Sequence, residues 1–384
     1  MSPMPAEVLI LGGGVGGTLT ANLLAKRLPA GKARIRLVDT TGLHVYQPGY
    51  LYVALDQANA GWLARDVRSL LRDNVELLID KAMAIDAAAG KVELEHGGMV
   101  TFDHLVLSTG SHLDYDAVPG LRQGSYGFYS LTDAERLREA LRTFRGGRLV
   151  IGVAGMPYKC PPAPVEFALM VEEYLRKRGL REATTIDFLS PLSRAFTIES
   201  ASKLVQPIFE QRGIELHTFV NVESVDPEAR ELTSLEGETF AYDLAVLVPP
   251  HKGADVVTNS GLGESGGWVP VDRNSLRVEG QERIYAIGDA TNLPISKSGS
   301  TAHFEAPVVV EQITAAVEGR SPNATRSRYR GKVTCFLETG NRQATVLVFD
   351  YEHPPKPPKP SVVWHAAKWA FNRAYWFTVP RGRI

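Results

Sequence analysis

The opening of the chain constrains its fold more than any other stretch of the sequence. Residues 7–11 form an apolar run typical of a buried strand, and glycines at G-x-G-x-x-G spacing follow before a helical stretch. These glycines are Gly12, Gly14 and Gly17. A second apolar run ends at Asp39, where a carboxylate can accept a hydrogen bond from a ribose hydroxyl. The pattern predicts a Rossmann-type unit that binds a dinucleotide pyrophosphate at the N-terminus of its helix.

Two later segments predict that this dinucleotide is FAD rather than NAD. The segment HLVLSTGS ends an apolar strand at Thr109 and Gly110. The segment RIYAIGDATNLP ends another at Gly288 and Asp289. Together with the opening, they resemble the flavoprotein reductases that have two dinucleotide-binding domains. In such proteins the Thr-Gly segment returns the chain to the flavin, and the aspartate binds the ribityl and phosphate region.

A second α/β unit is predicted between these segments. It contains a helix over 133–144, with a capping box from Thr132 to Glu135, and a strand over 148–153. After this strand a cofactor-binding turn would need glycines, but the chain has Met-Pro-Tyr-Lys directly ahead of Cys160. Bulky side chains and a proline ring would fill the space of a pyrophosphate. The sequence therefore predicts a second Rossmann-like domain that has lost its nicotinamide site.

The predicted fold class is α/β, with two Rossmann-like dinucleotide-binding domains of the FAD/NAD(P) flavoprotein reductase type and a C-terminal amphipathic extension. The chain divides accordingly into four segments. They are residues 1–113 (FAD-binding domain, first segment), 114–244 (second Rossmann-like domain), 245–320 (FAD-binding domain, second segment) and 321–384 (C-terminal region).

Composition limits the classes of function. The chain has 384 residues, a formal net charge of -1 and two cysteines, Cys160 and Cys335. Two cysteines cannot form a secreted disulfide framework, and the N-terminus lacks the pattern of a signal peptide, so a reducing, cytoplasmic location is expected. In that location an oxidised pair would be catalytic or sensory. The near-neutral charge gives no reason to expect a nucleic acid partner, and no metal site is expected.

Cys160 stands in a segment that favours chemistry. It precedes three prolines at the predicted start of a helix, and Lys159 is its neighbour. A helix N-terminus and a cation both stabilise a thiolate, so we expect the pKa of the Cys160 thiol to be lowered. The alternative is a small buried apolar residue. Cys335 lies in an alternating, strand-like segment and would by itself be assigned to packing.

Three segments carry a more specific resemblance: PYKCPPAPVEFA around Cys160, SKSGSTAHFEAPVVVEQI after the Gly-Asp motif, and YRGKVTCFLETGNRQATVLVFDY around Cys335. They resemble the sulfide:quinone oxidoreductases, which are relatives of the flavin subunit of flavocytochrome c sulfide dehydrogenases. The resemblance runs from the first strand to about Tyr351. It implies an enzyme that oxidises hydrosulfide at a Cys160/Cys335 pair to sulfane sulfur or polysulfide. Two electrons would pass through FAD to a membrane quinone.

The resemblance also implies roles for single residues. Cys160 corresponds to the cysteine that takes up sulfane sulfur, and Cys335 to the one that lies against the flavin and can add to its C4a carbon. Glu166 is similar to an acid near the thiol, although an acidic residue that complements the helix dipole is an equal alternative. Lys297 is similar to a lysine that approaches the flavin ring. Phe336 is similar to an aromatic residue of the quinone pocket, with a core residue as the alternative. The loop that passes the isoalloxazine corresponds to His44, Tyr46, Gln47 and Pro48.

The sequence departs from the family pattern at one point. Many members have a third cysteine early in the second domain, and the matching segment SYGFYSLTDAE has none. No thiol then stands near the flavin loop for a covalent link, so we expect FAD to be bound non-covalently.

The C-terminal tail has a composition of its own. From His353 onward it contains six basic residues, no acidic residue and the tryptophans Trp364, Trp369 and Trp376. A basic and aromatic amphipathic segment predicts peripheral binding to an anionic membrane, here on its cytoplasmic side. The alternative is a helix packed on the body of the protein or on a second subunit of a homo-oligomer.

Two other functions stay open at this point. A type II NADH:quinone oxidoreductase would share the fold, but it would need the glycine fingerprint that residues 155–160 lack. A non-catalytic flavin-binding redox sensor would use its two thiols to switch the binding of a partner.

Overall fold

The structure is a computed structural model that describes residues 4–321 and 325–383. The strands of this part are β1 (Ala6–Leu11), β2 (Ala33–Asp39), β3 (Leu43–Val45), β4 (Ala64–Asp66), β5 (Val75–Ile79), β6 (Ala82–Asp86), β7 (Lys91–Leu94), β8 (Gly98–Thr101), β9 (His104–Leu107), β10 (His112–Leu113), β11 (Gly147–Val153), β12 (Thr184–Ser190), β13 (Ile214–Thr218), β14 (Val222–Asp226), β15 (Glu231–Ser234), β16 (Thr239–Ala241), β17 (Leu244–Val248), β18 (His251–Lys252), β19 (Ile284–Ala286), β20 (Val333–Gly340) and β21 (Gln343–Phe349). The helices are α1 (Val15–Arg27), α2 (Tyr50–Ala54), α3 (Leu121–Gly124), α4 (Leu131–Thr143), α5 (Ala163–Lys177), α6 (Glu199–Gln211), α7 (Asp255–Asn259), α8 (Gly299–Val317) and α9 (Val362–Ala374).

The first sheet is parallel and has the strand order β19-β9-β1-β2-β5. Its central strand β1 is buried along Val8, Leu9 and Ile10, because a parallel sheet covered on both faces needs a continuous apolar run. Strand β19 comes from a segment more than a hundred residues after β9, so the chain leaves this domain and returns to it. Helices α1 and α8 pack against each other beside this sheet.

The second sheet is also parallel, with the order β13-β12-β11-β17. Helix α4 precedes it and begins earlier than expected, at Leu131. Its cap is Ser130, whose hydroxyl accepts a hydrogen bond from the Asp133 N–H at 3.1 Å. The predicted capping box from Thr132 to Glu135 is therefore wrong, because the chain enters the helix two residues sooner.

The predicted domain boundaries stay predictions. The second sheet takes its last strand from β17, which begins at Leu244 and continues to Val248. Two short strands, β10 and β18, pair antiparallel where the chain passes between the two parallel sheets.

The C-terminal region packs on the body of the protein. The antiparallel pair β20–β21 contacts α5 through β20 and α9 through β21. Three residues after α9, namely Tyr375, Trp376 and Val379, are buried in the hydrophobic core of the second sheet. The packing alternative for the tail is thus observed. Among the described residues, no helix combines the length and the apolar character that crossing a bilayer requires.

Candidate active site

The turn after β1 is shaped by close approaches of the backbone. A Cβ atom at Gly17 would lie 1.9 Å from the Gly12 carbonyl oxygen, and one at Gly12 would lie 2.4 Å from the Ser108 carbonyl oxygen. A Cβ atom at Gly14, by contrast, would meet no protein atom within 4 Å. Gly14 is also the N-cap of α1 and offers no capping side chain. The first amides of α1 are therefore available to a phosphate group.

Asp39, at the end of β2, is hydrogen-bonded to this turn. Its carboxylate accepts hydrogen bonds from the Gly13 N–H at 2.7 Å and from the Gly42 N–H at 2.7 Å. These bonds fix the carboxylate beside the glycine turn. The predicted contact of Asp39 with a ribose stays a prediction.

The ends of β9 and β19 offer further polar groups to a cofactor. The Thr109 hydroxyl oxygen is buried and has no hydrogen-bond partner among the described residues. A Cβ atom at Gly110, where φ is +70°, would meet no protein atom within 4 Å. Asp289 follows Gly288, and burial raises the pKa of its carboxyl, opposed by Lys159 and Lys297. Open space at glycines beside unpaired polar atoms fits the phosphates and ribityl chain of FAD.

Lys297 connects this cofactor cradle to the Cys160 turn. Its ammonium donates hydrogen bonds to the carbonyl oxygens of Asp289 at 3.2 Å and of Thr291, and it lies 3.9 Å from the ring centroid of Trp268. Burial lowers the pKa of Lys297 to about 8. The carbonyl oxygen of Lys297 accepts a hydrogen bond from the Cys160 N–H at 2.7 Å. The FAD-binding segment and the thiol-bearing turn are therefore held together directly.

His44 links the glycine turn to the C-terminal tail. Its Nε2 lies 2.6 Å from the Tyr375 hydroxyl, and its Nδ1 lies 3.2 Å from the Thr18 hydroxyl. Because Thr18 donates its own proton to the Gly13 carbonyl at 2.8 Å, Nδ1 must donate to Thr18 and Nε2 must accept from Tyr375. Burial lowers the pKa of His44 to about 4, so the ring is neutral at physiological pH.

The rest of the predicted isoalloxazine loop has two kinds of residue. Tyr46 is buried, and its hydroxyl donates a hydrogen bond to Asn372 at 2.5 Å. Gln47 and Pro48 begin a short 3-10 turn and are exposed. Their contact with the flavin stays a prediction.

Cys160 has a constrained backbone. Its φ of +50° lies in the left-handed region that favours glycine. Hydrogen bonds hold it there: its N–H donates to Lys297, and its carbonyl accepts from the Tyr129 hydroxyl at 3.3 Å and from the Ala163 N–H at 2.9 Å. Three contacts from different elements thus determine the direction of the Cys160 side chain.

The two cysteines converge although they are far apart in the chain. Cys335 lies on β20, which packs against α5, the helix that follows Cys160. Both side chains are partly buried against the same hydrophobic core, and each is a free cysteine. The Cys335 thiol is close enough to raise the pKa of the Cys160 thiol electrostatically.

The predicted lowering of the Cys160 pKa is wrong. Burial raises the pKa of this thiol, and Cys335 and Glu166 raise it further, while Lys368 lowers it. The physical reason is that α5 begins three residues beyond Cys160, and desolvation of a thiolate outweighs one cation. Burial likewise raises the pKa of Cys335 to about 11.

Glu166 forms the centre of a buried polar cluster. It lies in the first turn of α5, and its carboxylate accepts hydrogen bonds from the Lys368 ammonium and from the Glu338 N–H at 3.2 Å. Both side chains of the ion pair are less than a tenth exposed. Burial raises the pKa of Glu166, opposed by Lys368. Burial disfavours the Lys368 ammonium, but the Glu166 carboxylate holds its pKa above the ordinary value.

A second layer of hydrogen bonds continues this cluster toward the surface. The Glu338 carboxylate lies 2.9 Å from His365 Nδ1 and accepts a hydrogen bond from the Tyr52 hydroxyl at 3.2 Å. Asn372 donates to the same Tyr52 hydroxyl at 3.4 Å. His365 is partly exposed, so the cluster reaches from the buried Glu166–Lys368 pair to the surface.

Phe336 lies next to Cys335 on β20 and is partly exposed. Its ring centroid is 6.4 Å from that of Phe371 on α9. Phe371 in turn contacts Tyr375, with ring centroids 6.3 Å apart. These rings form an aromatic surface between β20 and α9, and the role of Phe336 in quinone binding stays a prediction.

Several residues of this site were not found from the sequence. The sequence predicts membrane binding for the tail as a whole and gives neither Lys368 nor Asn372 a place in the site, yet both are buried. A signal was present, because His365, Lys368 and Asn372 follow helical spacing within an apolar helix. A polar stripe on an otherwise apolar helix indicates the face that finds polar partners.

The site and the two parallel sheets define a flavoprotein oxidoreductase. Residues 6–319 match the family model described as pyridine nucleotide-disulphide oxidoreductase. The chain belongs to this family, whose members bind FAD, and the predicted fold class and cofactor are thereby confirmed.

The comparisons also confirm the resemblance to sulfide:quinone oxidoreductases. The chain is 27% identical over 360 residues to a mitochondrial sulfide:quinone oxidoreductase of Mus musculus, covering 91% of this chain and 79% of the relative. It is 26% identical over 394 residues to that of Dictyostelium discoideum, covering 98% and 86%. The fold is similar to the crystal structure of the sulfide:quinone oxidoreductase of Aquifex aeolicus, with a TM-score of 0.89 and 23% identity over 99% of this chain and 92% of that one.

Proposed function

We propose that this protein is an FAD-dependent sulfide:quinone oxidoreductase that uses Cys160 and Cys335 as its redox pair. The observation that carries the proposal is the convergence of these two thiols beside the cofactor cradle. Cys160 is tied to Lys297 by a 2.7 Å hydrogen bond, and Cys335 lies near enough to shift its pKa. The relatives named above support the substrate class.

The cycle begins with the two sulfurs joined directly or through bridging sulfur. Hydrosulfide attacks the sulfur on Cys160, which breaks the bond to Cys335, forms a Cys160 persulfide and releases Cys335 as a thiolate. Closing a sulfur bridge between that persulfide and Cys335 releases one proton and two electrons. Repetition lengthens the sulfane chain until a polysulfide leaves. Bound at the Gly14 turn, Thr109 and Asp289, FAD would supply the two-electron redox chemistry that links this oxidation to a quinone, whose reduction takes up two protons.

The buried cluster supports proton movement in this cycle. The raised pKa values of both thiols mean that an attacking or leaving thiolate needs a nearby proton donor and acceptor. Glu166 interacts electrostatically with both thiols and is paired with Lys368, so it can fill this role. Glu338 and the partly exposed His365 extend this polar cluster from Glu166 toward solvent.

An apolar electron acceptor requires an apolar surface near the same site. Phe336 and Phe371 provide one, and it adjoins the outer face of α9. We propose that the quinone ring binds against these two side chains.

The turn of the second domain argues against the type II NADH:quinone oxidoreductase. Tyr158 and Lys159 are buried in the space after β11, and a Cβ atom at Gly155 would already lie 3.1 Å from Pro250. A pyrophosphate has no comparable cradle there. NADH should therefore fail to bleach the flavin.

The experiment that tests this function is an anaerobic titration with sulfide and then with a soluble quinone. We expect sulfide to bleach the flavin and the quinone to restore its absorbance, with steady turnover when both are present. The variant Cys335→Ser should abolish reduction by sulfide while the FAD content stays unchanged. Thr334→Ser, at the preceding position, is the control.

The outcomes of this titration distinguish the proposed enzyme from the type II NADH:quinone oxidoreductase and from the redox sensor. Unchanged reduction in Cys335→Ser would refute the redox pair. Reduction by NADH would favour the type II enzyme, and a single reduction without turnover would favour the redox sensor.

We propose that α9 binds the membrane through its outer face, with the protein on the cytoplasmic side. Lys368 and Asn372 face inward, and the exposed positions of α9 and the turn after it are almost entirely apolar. These positions are Val362, Val363, Ala366, Trp369, Ala370, Ala374 and Phe377, with Arg373 among them. Such an apolar stripe with one cation at its edge suits insertion among lipid headgroups.

Flotation with vesicles that contain anionic lipid tests this proposal. Trp369→Glu should shift the protein from the floating fraction to the soluble one without changing its melting temperature. Val348→Glu alters an exposed apolar side chain on β21 and is the control. If the intact protein does not float, the membrane proposal is wrong.

A further inference from the structure

Two buried polar residues beside the Cys160 turn have no part in the cycle described above. Lys159, which precedes Cys160, is 8% exposed, and His251 on β18 is 3% exposed. The backbone N–H of His251 donates a hydrogen bond to the Pro157 carbonyl oxygen at 2.7 Å. The imidazole packs edge-on against Tyr129 with ring centroids 5.3 Å apart, and Tyr129 donates to the Cys160 carbonyl. His251 thus contacts the thiol-bearing turn on two sides.

The hydrogen-bonding state of His251 follows from its neighbours. Its Nδ1 lies 2.9 Å from the Pro249 carbonyl, which can only accept, so Nδ1 carries the hydrogen. Burial, with Lys159 nearby, lowers the pKa of His251 to about 3, and the ring is therefore neutral. Its Nε2 is then a hydrogen-bond acceptor, and it has no partner among the described residues. Such an atom is costly to bury unless a donor reaches it.

Lys159 has the opposite property, namely hydrogen-bond donors without acceptors. Its ammonium has three donors, yet within the described residues it makes no hydrogen bond and no ion pair. Burial lowers its pKa, while Asp289 and Cys160 favour the charged form. Lys159 and His251 together offer one positive charge and one lone pair, beside the sulfur that receives the substrate.

The strand pair that carries His251 also carries exposed residues. Strand β18 pairs with β10, and His112 is opposite Lys252 in that pairing. His112 lies on the outer side of this pair, and its pKa is lowered first by partial burial of the ring and further by nearby cations that include Lys159.

We propose that Lys159 and His251 form the subsite that binds incoming hydrosulfide before it attacks at Cys160. The proposal rests on the proposed function. Hydrosulfide is a monoanion that carries a single S–H donor. The Lys159 ammonium matches its charge, and the His251 Nε2 accepts its S–H. A neutral thiol lacks the charge and azide lacks the donor, so the pair selects for hydrosulfide over both.

The test uses the FAD-loaded protein and sulfide as the probe, with the rate of anaerobic flavin reduction followed against sulfide concentration. Lys159→Met and His251→Phe should each raise the half-saturating sulfide concentration about tenfold, the loss expected for one hydrogen bond to a charged group. Lys252→Met removes a half-exposed lysine of the same strand pair and should change it less than about twofold. Reoxidation by quinone should be unchanged in all three variants.

Azide inhibition separates the two residues. Azide should compete with sulfide in the wild type and in His251→Phe, and the competition should be lost in Lys159→Met. An unchanged half-saturating concentration in both variants would overturn the subsite. So would a Lys159→Met variant that alters the flavin spectrum while sulfide saturation stays the same, because Lys159 would then serve the cofactor. If sulfide fails to reduce the wild-type flavin, the proposed function itself fails, whatever the variants do.

Discussion

The two parallel sheets use the same strand–turn–helix unit, at β1–α1 and at β11–α5, but they build the turn in opposite ways. In the first unit the glycines let backbone atoms approach closely, and Gly14 borders open space. In the second unit Tyr158 and Lys159 fill the turn, and Cys160 closes it at a positive φ. One topology therefore provides a cofactor cradle where side chains are missing and a reactive group where they are present.

The two turns are also supported differently. The first is held by close backbone contacts, by hydrogen bonds to Asp39, and by the hydrogen bonds that join Tyr375, His44 and Thr18 to the Gly13 carbonyl. The second is held by hydrogen bonds to Lys297 and Tyr129 and by the buried pair of Glu166 and Lys368. Changes at the first turn should consequently affect cofactor binding, and changes at the second should affect stability and thiol chemistry.

The largest effect is expected at Gly17. In Gly17→Val the new Cβ would overlap the Gly12 carbonyl, which cannot move without separating α1 from β1. Overpacking against backbone should destabilise the domain by about 3 kcal/mol or more and remove FAD, as measured by the ratio of flavin to protein absorbance.

Two glycine variants provide the comparison between the turns. Gly14→Ala adds a Cβ where no protein atom lies within 4 Å, so it should preserve the fold and weaken FAD binding. Gly155→Ala, in the second turn, should leave FAD binding unchanged. Equal FAD loss in both alanine variants would contradict the distinction between the two turns.

The sequence predicted the first turn better than the second, for a physical reason. Gly12, Gly14 and Gly17 act through local backbone geometry, which spacing along the chain reveals. The surroundings of Cys160 depend on Lys368 and Cys335, which are distant in sequence and reach it only through the packing of α9 and β20. The lowered pKa was predicted from neighbours in the sequence and was wrong because burial is a property of the tertiary structure.

A loss of stability of similar size, without the loss of FAD, is expected at the buried ion pair. Lys368→Met would leave the Glu166 carboxyl without its cation, and removing one partner of a buried pair typically costs about 3–5 kcal/mol of unfolding free energy. Lys203→Met breaks an exposed pair with Glu199 and should cost less than about 0.5 kcal/mol. Urea unfolding of both variants measures the difference.

The double variant Glu166→Gln with Lys368→Met shows whether the loss comes from an unpaired charge. With both charges removed, stability should return by at least half. If Lys368→Met unfolds at the same urea concentration as the wild type, the packing of the C-terminal tail does not depend on this ion pair.

The smallest effect is a pH dependence that begins at the first turn. The folded-state pKa of His44, about 4, lies below the unfolded value of about 6.5, so between these values the unfolded chain binds a proton that the folded chain does not. His44 therefore stabilises the fold fully above pH 6.5, and the contribution is lost as the pH falls toward 4. His44→Gln should reduce the stability lost between pH 7 and pH 5 by about 1–2 kcal/mol. Burial also lowers the pKa of His251, so part of the pH dependence should persist in His44→Gln. If His44→Gln retains the full loss of the wild type, burial of the neutral His44 ring beside the glycine turn is not a source of this pH dependence.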